Sequence, residues 1–300
     1  MKLAMITVTR NDDFRFDEWY KYYNEYKEDV YLHIIVDDAS DSEYVKTIKD
    51  YFSNSVIIER KVNGGSNAAV NDGLRYALND TDVDAIMVLD NDIKVKKGSL
   101  RNLYDYLYSD EKLGMVGPLV LKKDSDVIED FGVTVGFLSS KFNYQGKRID
   151  DLPRHCNMYV DVVPGGITMS KPSFYKTVGL QDESIFMYCD ERDMCYRSKL
   201  AGIKEGVTIE AVTWHQHQSS PHKGKKLKSE YLIYRNRTYL QKKYEGFPQA
   251  ILSSLYFFLT KTVVIIPCIF NTKKRFDYGQ SVSGLWAGLT SNLNNDDIWY

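Results

Sequence analysis

Two carboxylates, Asp90 and Asp92, directly follow an uninterrupted apolar run at residues 85–89. Such a run is typical of a parallel strand that is buried on both faces of a sheet. In open α/β sheets, ligands bind beyond the carboxyl ends of the strands, where this acidic pair would lie. Neighbouring carboxylates repel each other, and a divalent cation that bridges them to phosphate oxygens removes that repulsion. The pair therefore indicates a metal and phosphate site, while an ordinary polar turn is the structural alternative.

A second acidic group, Asp190, Glu191 and Asp193, opens a helical pattern that ends at Gly202. The positive end of a helix dipole favours carboxylates in the first turn, so capping alone could explain them. A carboxylate at the mouth of a nucleotide site could instead act as a general base towards an acceptor hydroxyl. Arg197, one turn after Asp193, is expected to form an ion pair within the helix.

Three basic or imidazole side chains follow later in the chain. His215 comes at the end of a strand pattern, where its imidazole could complete a metal site begun by Asp90 and Asp92, although lone histidines are usually structural. Arg235 and Arg237 belong to a subsequent helical pattern, and their guanidinium groups could hold a diphosphate bidentately.

The elements that must position these side chains alternate between strand and helix patterns. Three strand–helix units followed by a fourth strand predict a mostly parallel, doubly wound α/β sheet flanked by helices. The strand patterns cover residues 2–8, 30–36, 56–58, 85–89 and 207–212, and the helical patterns include residues 68–78, 97–108, 171–178 and 228–243.

Polar residues follow each of the first four predicted strands. Acidic side chains at a strand end can accept a hydrogen bond from a base or ribose hydroxyl, and threonines can do so through hydroxyl or backbone groups. Glycines permit a close backbone approach to phosphate at a helix start. Each cluster alone has a structural explanation, but together they predict a nucleotide site. Its members are Thr7, Thr9, Asn11, Asp37, Asp38, Asn63, Gly64, Gly65, Asn67 and Asn91.

The composition is that of a folded globular protein, with 43% hydrophobic and 27% charged residues, and it excludes extensive disorder. Because the first residues already form a strand pattern, we expect no secretory signal. The cysteines form no CxxC pair, so reduced thiols in a cytosolic protein are expected. They are Cys156, Cys189, Cys195 and Cys268.

The net charge of −2 conceals a basic segment. Residues 221–275 contain 12 Lys or Arg against two Glu, so this segment carries +10 and the remainder −12. A membrane surface or a phosphorylated acceptor would suit it, a solvated helix face is the structural alternative, and no nucleic-acid module is present. Residues 250–270 approach spanning length, but Lys261 would be costly in lipid. We expect an amphipathic helix on the domain or membrane surface, beside the basic residues 273–275.

Over residues 3–245 these motifs, in this order, resemble family 2 glycosyltransferases with the GT-A fold. The nearest likeness is to the bacterial rhamnosyltransferase and galactofuranosyltransferase branch. The shared features are the Thr/Asn segment after strand one, Val-Asp-Asp-Ala-Ser, Asn-x-Gly at Asn63 and again at Asn71, Leu-Asp-Asn-Asp, Gly-Pro, Gly-Gly, Phe-x-Tyr-x-Asp-Glu-x-Asp-x-Cys-x-Arg, Trp-His and Tyr-Arg-Asn-Arg.

The resemblance implies an inverting transfer from a UDP- or dTDP-sugar to a hydroxyl of a glycan or lipid-linked acceptor. It places this reaction in bacterial surface polysaccharide synthesis, in the cytoplasm or at the inner face of the cell membrane. The family's general base usually occupies the second position of its acidic pair, which is Glu191 in this chain, with Asp190 as the alternative.

The resemblance also assigns the donor contacts. Asp90 and Asp92 look like the DxD motif that binds Mn²⁺ or Mg²⁺ on the donor diphosphate. His215 is similar to the family histidine that adds a metal or phosphate contact. Asp38, together with Asp37, looks like the acidic position that recognises the base.

The implied domain comprises residues 1–245, with a nucleotide-sugar half at 1–121 and an acceptor half at 122–245. A C-terminal helical extension at 246–300 would follow, and its tail at residues 278–293 could pack against a second subunit. Two alternatives stay open, a nucleotidyltransferase and a non-catalytic sugar-binding subunit. The first would have a Gly-rich triphosphate loop after strand one, which residues 9–13 lack. The second would not need both acidic pairs.

Overall fold

The computed structural model describes residues 1–216, 227–268, 270–296 and 298–299, except for the side chain of Cys268. The strands are β1 (Leu3–Thr9), β2 (Leu32–Asp37), β3 (Val56–Glu59), β4 (Ala85–Leu89), β5 (Ile93–Val95), β6 (Leu113–Lys122), β7 (Ile128–Asp130), β8 (Val133–Val135), β9 (Ser140–Phe142), β10 (Met158–Val160), β11 (Ile167–Ser170) and β12 (Lys204–His215). The α-helices are α1 (Phe16–Tyr26), α2 (Ser42–Tyr51), α3 (Ser66–Asn79), α4 (Ser99–Ser109), α5 (Pro172–Val178), α6 (Asp190–Leu200), α7 (Ser229–Glu245), α8 (Phe247–Ile265) and α9 (Thr272–Leu289).

Ten of the described strands form one mixed sheet in the order β10-β12-β6-β11-β4-β1-β2-β3, with β5 beside β12 and β7 beside β6, and β8 and β9 form a separate two-stranded sheet. The half made of β3, β2, β1 and β4 is parallel throughout. The predicted α/β class and its mostly parallel sheet flanked by helices are confirmed. β11 runs antiparallel between β4 and β6, and β5, β7 and β10 also pair antiparallel with their neighbours.

The apolar run that becomes β4 is buried on both faces of the sheet. Ile86 belongs to one hydrophobic cluster, whereas Met87 and Leu89 belong to another, and all three are at most 1% exposed. Side chains alternate across a strand, so a continuous apolar run supplies two cores at once. This burial holds the carboxyl end of β4 in one place, and Asp90 follows it directly.

β12 is twice as long as the predicted strand at residues 207–212, because it has 12 residues. Its pairing with β6 shifts register between Thr208 and Val212. A bulge of this kind interrupts the alternation of apolar and polar side chains, which hides the full length of the strand from sequence patterns. The extra residues carry β12 as far as His215.

The C-terminal helical region is confirmed, and α9 packs closely on α7 of the same chain. A Cβ on Gly284 would clash with the carbonyl oxygen of Tyr231, and one on Gly288 would lie 2.5 Å from that of Arg235. Glycine permits this approach because it has no side chain. Cys156, Cys189 and Cys195 are free. The side chain of Cys268 and the basic residues Lys223, Lys225 and Lys226 lie outside the described part of the chain.

The buried imidazole of His33 makes the stability of the fold depend on pH. His33 lies on β2, and its Nδ1 is 2.8 Å from the Oγ of Ser55, the residue before β3. Burial lowers the pKa of His33 to about 3. The unfolded chain protonates His33 near pH 6.5, whereas the folded chain does not, so stability is lost as pH falls from 6.5 towards 3. The loss approaches about 1.4 kcal/mol for each pH unit in that window.

His33→Gln removes this titration. Its free energy of unfolding, measured by urea denaturation, should therefore fall less steeply than that of the parent chain between neutral pH and about pH 5. His155→Gln is the matched control, because the side chain of His155 is 87% exposed. Parallel pH profiles for the parent chain and His33→Gln would contradict the assignment.

Candidate active site

The turn between β4 and β5 carries Asp90 and Asp92 to the end of β12. Asp90 N donates to Gly166 O at 2.8 Å, and Asp92 O accepts from Gln216 N at 3.0 Å. β5 pairs antiparallel with β12 and sets Ile93 opposite His215. The two carboxylates and the imidazole therefore meet through strand pairing, although more than 100 positions separate them in the sequence.

Asp92 lies between two cationic side chains. Its Oδ2 is 2.6 Å from Arg15 Nη1, and its Oδ1 is 3.5 Å from His215 Nε2. Burial raises the pKa of Asp92, but the hydrogen bond and charge of His215 and the charge of Arg15 outweigh burial and lower it to about 2. Asp92 is therefore ionised at neutral pH.

His215 is oriented by a second carboxylate. Its Nδ1 lies 3.0 Å from Glu129 Oε1 on β7, which leaves Nε2 directed at Asp92. Burial opposes the charged imidazolium, yet hydrogen bonds to Asp92 and Glu129 together raise the pKa of His215 to about 10. A carboxylate that holds one ring nitrogen while the other faces the site is the usual support of a metal-binding histidine.

The pKa of the neighbouring carboxylate, Asp90, is shifted in the opposite direction to that of Asp92. Burial, followed by the charge of Asp92, raises the pKa of Asp90 to about 7. Its Oδ2 lies only 2.5 Å from the position that a Cβ on Gly166 would occupy, and Gly166 has a φ of +74°. Glycine is therefore required here for both space and backbone conformation. A bound cation would favour the ionised form of Asp90.

Glu191 reaches the same place from the first turn of α6. Its Oε1 accepts a hydrogen bond from Gly166 N at 3.1 Å, while the carbonyl of Gly166 accepts from Asp90 N. A Cβ on Gly165 would lie 3.0 Å from Glu191 Oε1. The Gly165–Gly166 segment before β11 therefore joins the acidic turn to the acid of α6, and the structure brings Asp90, Asp92, His215 and Glu191 together.

Asp190 directly precedes Glu191 at the start of α6. Burial and then the charge of Glu191 raise the pKa of Asp190 well above its usual range. The shift favours the protonated form of Asp190, in which its carboxyl group can donate a hydrogen bond. Tyr188 and Cys189, which precede it, have left-handed φ values of 70° and 65°, and this sharp turn sets the start of α6.

Asp37 and Asp38, at the end of β2, have different hydrogen-bond partners. Asp38 accepts from Arg60 Nη1 at 2.5 Å and from the amides of Gly64 and Gly65 at 3.0 Å each. Asp37 Oδ2 accepts from the amide of Ser40, but its buried Oδ1 has no hydrogen-bond partner in the described ranges. Asp37 therefore retains one oxygen that can accept a hydrogen bond from a ligand, whereas both oxygens of Asp38 accept hydrogen bonds from within the chain.

A cavity of about 420 Å³ adjoins this end of the sheet. Its lining combines acidic and basic side chains, which suits a polar ligand rather than an apolar one. The lining residues include Asp37, Ser40, Lys46, Lys49, Glu59 and Arg60.

The predicted segment at residues 63–67 packs beneath the loop that leads to α6. Gly65 has a φ of +84°, and a Cβ there would clash with the carbonyl oxygen of Phe186. Asn63 Oδ1 accepts from Gly65 N at 3.2 Å, and Asn67 Nδ2 donates to Asp182 O at 3.1 Å. These residues, with Gly64, position the loop before Asp190 and Glu191.

The remaining strand-end residues form a buried polar network. Thr9 Oγ1 pairs with the hydroxyl of Tyr44 and accepts from Asn91 Nδ2 at 3.3 Å. Asn11 links the loops after β1 and β2, because its Oδ1 accepts from Asp41 N at 3.0 Å. Thr7 is 1% exposed within β1. These contacts hold the loops around the acidic turn.

The two arginines predicted to share a diphosphate lie in different environments. Arg235 is fully buried, and its Nη1 donates to Asn294 O and Asn295 Oδ1 at 3.0 Å each, so it anchors the C-terminal segment. Arg237 instead approaches α6, because Arg237 Nη2 and Arg192 Nη2 each lie 3.2 Å from Ser140 Oγ. Burial and the charge of Arg192 lower the pKa of Arg237 to about 10.

Three residues of this site escaped the sequence analysis. Arg15 follows the loop after β1, and Arg192 is the residue after Glu191, so their positions offered a signal. Glu129 lies on a three-residue strand in the irregular half and offered none.

The donor set fits a divalent cation that is shared with a ligand. Within the described ranges, no group of three His, Cys, Asp or Glu side chains is placed to hold a metal ion by itself. Mg²⁺-type sites commonly use one or two carboxylates and complete their coordination with substrate phosphates and water. Asp90 and Asp92, with His215 held in place by Glu129, match that composition.

Comparison with known proteins shows similarity to glycosyltransferases in sequence and in fold. Residues 24–160 match the family model described as Glycosyl transferase family 2. The low-salt glycan biosynthesis hexosyltransferase Agl10 of Haloferax volcanii is 25% identical over 208 residues, which cover 68% of this chain and 65% of that protein. The match thus spans slightly less than two thirds of the relative's length.

Solved structures share the fold at low identity. The mannosyltransferase PcManGT from Pyrobaculum calidifontis, in complex with GDP-Man and Mn²⁺, has a TM-score of 0.61 at 13% identity, covering 99% of this chain and 88% of that one. S. aureus TarS in complex with UDP-GlcNAc has a TM-score of 0.59 at 11% identity, covering 98% and 83%. The chain therefore matches the family 2 glycosyltransferase model over residues 24–160 and shares the fold of these solved glycosyltransferases, as the sequence motifs indicated.

Proposed function

We propose that this chain is an inverting, metal-dependent glycosyltransferase that moves a hexose from a nucleotide-sugar to a hydroxyl group. One observation carries the proposal: Gly166 bonds through its carbonyl to Asp90 and through its amide to Glu191. Gly166 thereby joins the acidic turn that would bind the cation to the carboxylate that would act as the general base. The family match and the hexosyltransferase relative support the same reaction class.

Asp90, Asp92 and His215 would hold Mn²⁺ or Mg²⁺ together with the donor diphosphate. When bound, the ion supplies positive charge against the negative charge that develops on the leaving nucleoside diphosphate. Glu129 keeps the Nε2 of His215 directed into the site. Arg15, paired with Asp92, adds a fixed cation at the same position.

Glu191 acts as the general base on the acceptor hydroxyl. It takes the proton as the acceptor oxygen attacks the anomeric carbon from the face opposite the diphosphate, which gives inversion in one step. A single carboxylate suffices, because no covalent sugar intermediate forms, unlike the retaining glycosidases with their paired carboxylates. Asp190, whose protonated form is favoured by burial and by the charge of Glu191, would donate a hydrogen bond to Glu191 and orient it.

On the donor side, Asp37 Oδ1 would accept a hydrogen bond from a base N–H or a ribose hydroxyl, since it is buried and lacks a partner in the part of the chain that is described. The donor is proposed to be a UDP- or dTDP-sugar. Arg237 and Arg192 place two positive charges beside α6, where they would neutralise phosphate oxygens. Asn91, Thr9, Asn11 and Gly65 support the loops around this site.

The acceptor is proposed to be a glycan or a lipid-linked glycan in surface polysaccharide synthesis at the cytoplasmic face of the membrane. Agl10, the relative, is named for glycan biosynthesis. A non-catalytic sugar-binding subunit would need neither a base at Glu191 nor a cation site at Asp90 and Asp92.

A thermal-shift screen of nucleotide-sugars with Mn²⁺ tests the donor site. A ligand that binds only the folded chain stabilises it by about 2.7 kcal/mol at a hundred times its Kd, so a matching donor should raise Tm clearly. EDTA should remove the increase, and Asp37→Ala should weaken it. Asp41→Ala, at an exposed neighbouring position, is the control.

Two outcomes would contradict the proposal. Tm could be unchanged by every nucleotide-sugar, or the increase could persist unaltered in EDTA. Formation of a nucleotide-sugar and pyrophosphate from a nucleoside triphosphate and a sugar phosphate would instead identify a nucleotidyltransferase.

A further inference from the structure

α8 carries its small and polar side chains inward and its large apolar side chains outward. Ala250, Ser253 and Ser254 are buried, at 0%, 1% and 6% exposure. A surface helix of a water-soluble protein shows the opposite arrangement. Helices in contact with lipid, by contrast, place small residues at their protein contacts and large apolar residues outside. We call the exposed apolar residues the outer face of α8: Leu252, Leu255, Phe258, Leu259, Val263 and Val264, which are 41–67% exposed.

The only charge on this helix is turned away from the outer face. Lys261 is the single charged residue between positions 247 and 266. Its Nζ lies 3.3 Å from Glu230 Oε2 and 5.0 Å from the ring centroid of Tyr234, both on α7. The lysine that argues against a buried position in lipid is therefore neutralised by the protein, and the outer face carries no charge.

The threonines of α8 bring no unsatisfied donor to the outside. Thr260 Oγ1 donates to Tyr256 O at 2.9 Å, and Thr262 Oγ1 donates to Phe258 O at 2.6 Å. Hydroxyl groups that bond back to their own helix are compatible with an apolar surrounding, where water is absent as a partner. The outer face is therefore apolar in its hydrogen bonding as well as in its composition.

Basic residues follow the apolar helix at the start of α9. Lys273, Lys274 and Arg275 are all exposed. Cationic side chains beside an apolar surface complement anionic lipid headgroups above a hydrocarbon layer.

α8 stays attached to the catalytic body through its inner side. The guanidinium of Arg237 on α7 lies 4.2 Å from the ring centroid of Phe257 on α8. By length and composition alone α8 could cross a membrane. A spanning helix would have to leave α7 and its Lys261–Glu230 pair, whereas a helix lying on the surface keeps both.

We propose that the outer face of α8 inserts into one leaflet of an anionic bilayer, with Lys273, Lys274 and Arg275 on the headgroups. With this contact α8 holds the protein on the membrane surface and does not cross the bilayer. It sets the chain beside membrane-embedded acceptors, but membrane binding itself does not depend on the proposed catalysis. Donor binding and lipid binding can therefore succeed or fail separately.

Flotation of the full-length protein with preformed vesicles tests the proposal. The vesicles contain either phosphatidylcholine alone or equal parts of phosphatidylcholine and phosphatidylglycerol. We expect the protein to float with the anionic vesicles, and Leu259→Gln/Val263→Gln to lower the bound fraction by roughly tenfold or more. K273Q/K274Q/R275Q should reduce the preference for anionic over neutral vesicles. The control is Val62→Gln/Leu200→Gln, two apolar residues exposed by 74% and 76% outside α8.

Folding and self-association are measured in the same preparations. Because the substituted side chains are exposed, the Tm of each variant should stay close to that of the parent chain. Equal flotation of the parent chain and Leu259→Gln/Val263→Gln would overturn the proposal. So would absence of flotation together with a dimer in analytical ultracentrifugation that this double variant dissociates, because the outer face would then pair two copies of the chain.

Discussion

Glu191→Gln is expected to lower the rate of sugar transfer by roughly 10²–10⁴-fold while leaving donor binding intact. The amide cannot take the proton of the acceptor hydroxyl, so the attacking oxygen loses its general base. Its Oε1 can still accept from Gly166 N, so the link to the acidic turn is kept. The rate is measured as release of nucleoside diphosphate with the donor found in the thermal-shift screen, and donor binding as the rise in Tm.

Asp190→Asn is the matched control for this prediction. Burial and the charge of Glu191 favour the protonated form of Asp190, so an amide of nearly the same shape should reduce turnover much less than Glu191→Gln. If Asp190→Asn abolished turnover while Glu191→Gln preserved it, the base would be Asp190. If neither variant lowered turnover, this pair would not contain the base.

Asp92→Asn is expected to weaken Mn²⁺ binding by roughly a hundredfold or more and to remove transfer at ordinary Mn²⁺ concentrations. The substitution takes one negative charge from the metal site. It also leaves Arg15 and His215 facing each other without the carboxylate that lies 2.6 Å and 3.5 Å from them. Mn²⁺ affinity is measured by titration in the presence of a nucleoside diphosphate, and folding by Tm.

Two further variants distinguish the loss of a metal ligand from the loss of a residue that only orients a ligand. Glu129→Gln removes the carboxylate that orients His215, and we expect a loss of roughly 10–100-fold in Mn²⁺ affinity. Asp105→Asn, at an exposed carboxylate on α4, should have no effect on Mn²⁺. Unchanged Mn²⁺ affinity in Asp92→Asn would rule out Asp92 as a ligand of the cation, because the remaining protein donors would then suffice.

The experiments on Glu191, Asp92 and α8 test three separate properties, namely general-base catalysis, cation binding and membrane binding. Loss of turnover in Glu191→Gln with an unchanged Mn²⁺ affinity would separate acid–base chemistry from cation binding. Vesicle flotation requires neither donor nor metal, so it reports on the outer face of α8 alone.

The parallel half of the sheet could be predicted because its signals are local. β4 is an uninterrupted apolar run, and its burial in two opposite clusters is what such a run implies. The helical pattern ending at Gly202 was equally local: Arg197 pairs with Asp193 at 2.5 Å, and Gly202 has a left-handed φ of +76°. In these cases the residues that interact are neighbours in sequence or repeat with the period of one element.

The different roles of residues that are close in sequence could not be predicted from the sequence. Asp37 and Asp38 are adjacent and chemically identical, yet Asp38 is taken up by Arg60 and the loop amides while Asp37 keeps a free oxygen. Arg235 and Arg237 lie two positions apart on α7, so they point to different sides of the helix. One consequently holds the C-terminal segment, and the other faces α6.

By itself, then, the sequence determined the strand–helix order, the acidic turn after β4 and the acidic start of α6, because hydrophobic periodicity and capping act over a few residues. Only the tertiary structure decided that antiparallel β11 brings Gly166 between Asp90 and Glu191, and that β5 brings Asp92 to His215. It alone also decided which face of α8 points outward. Those contacts join residues that are distant along the chain, and their energy depends on how the elements pack.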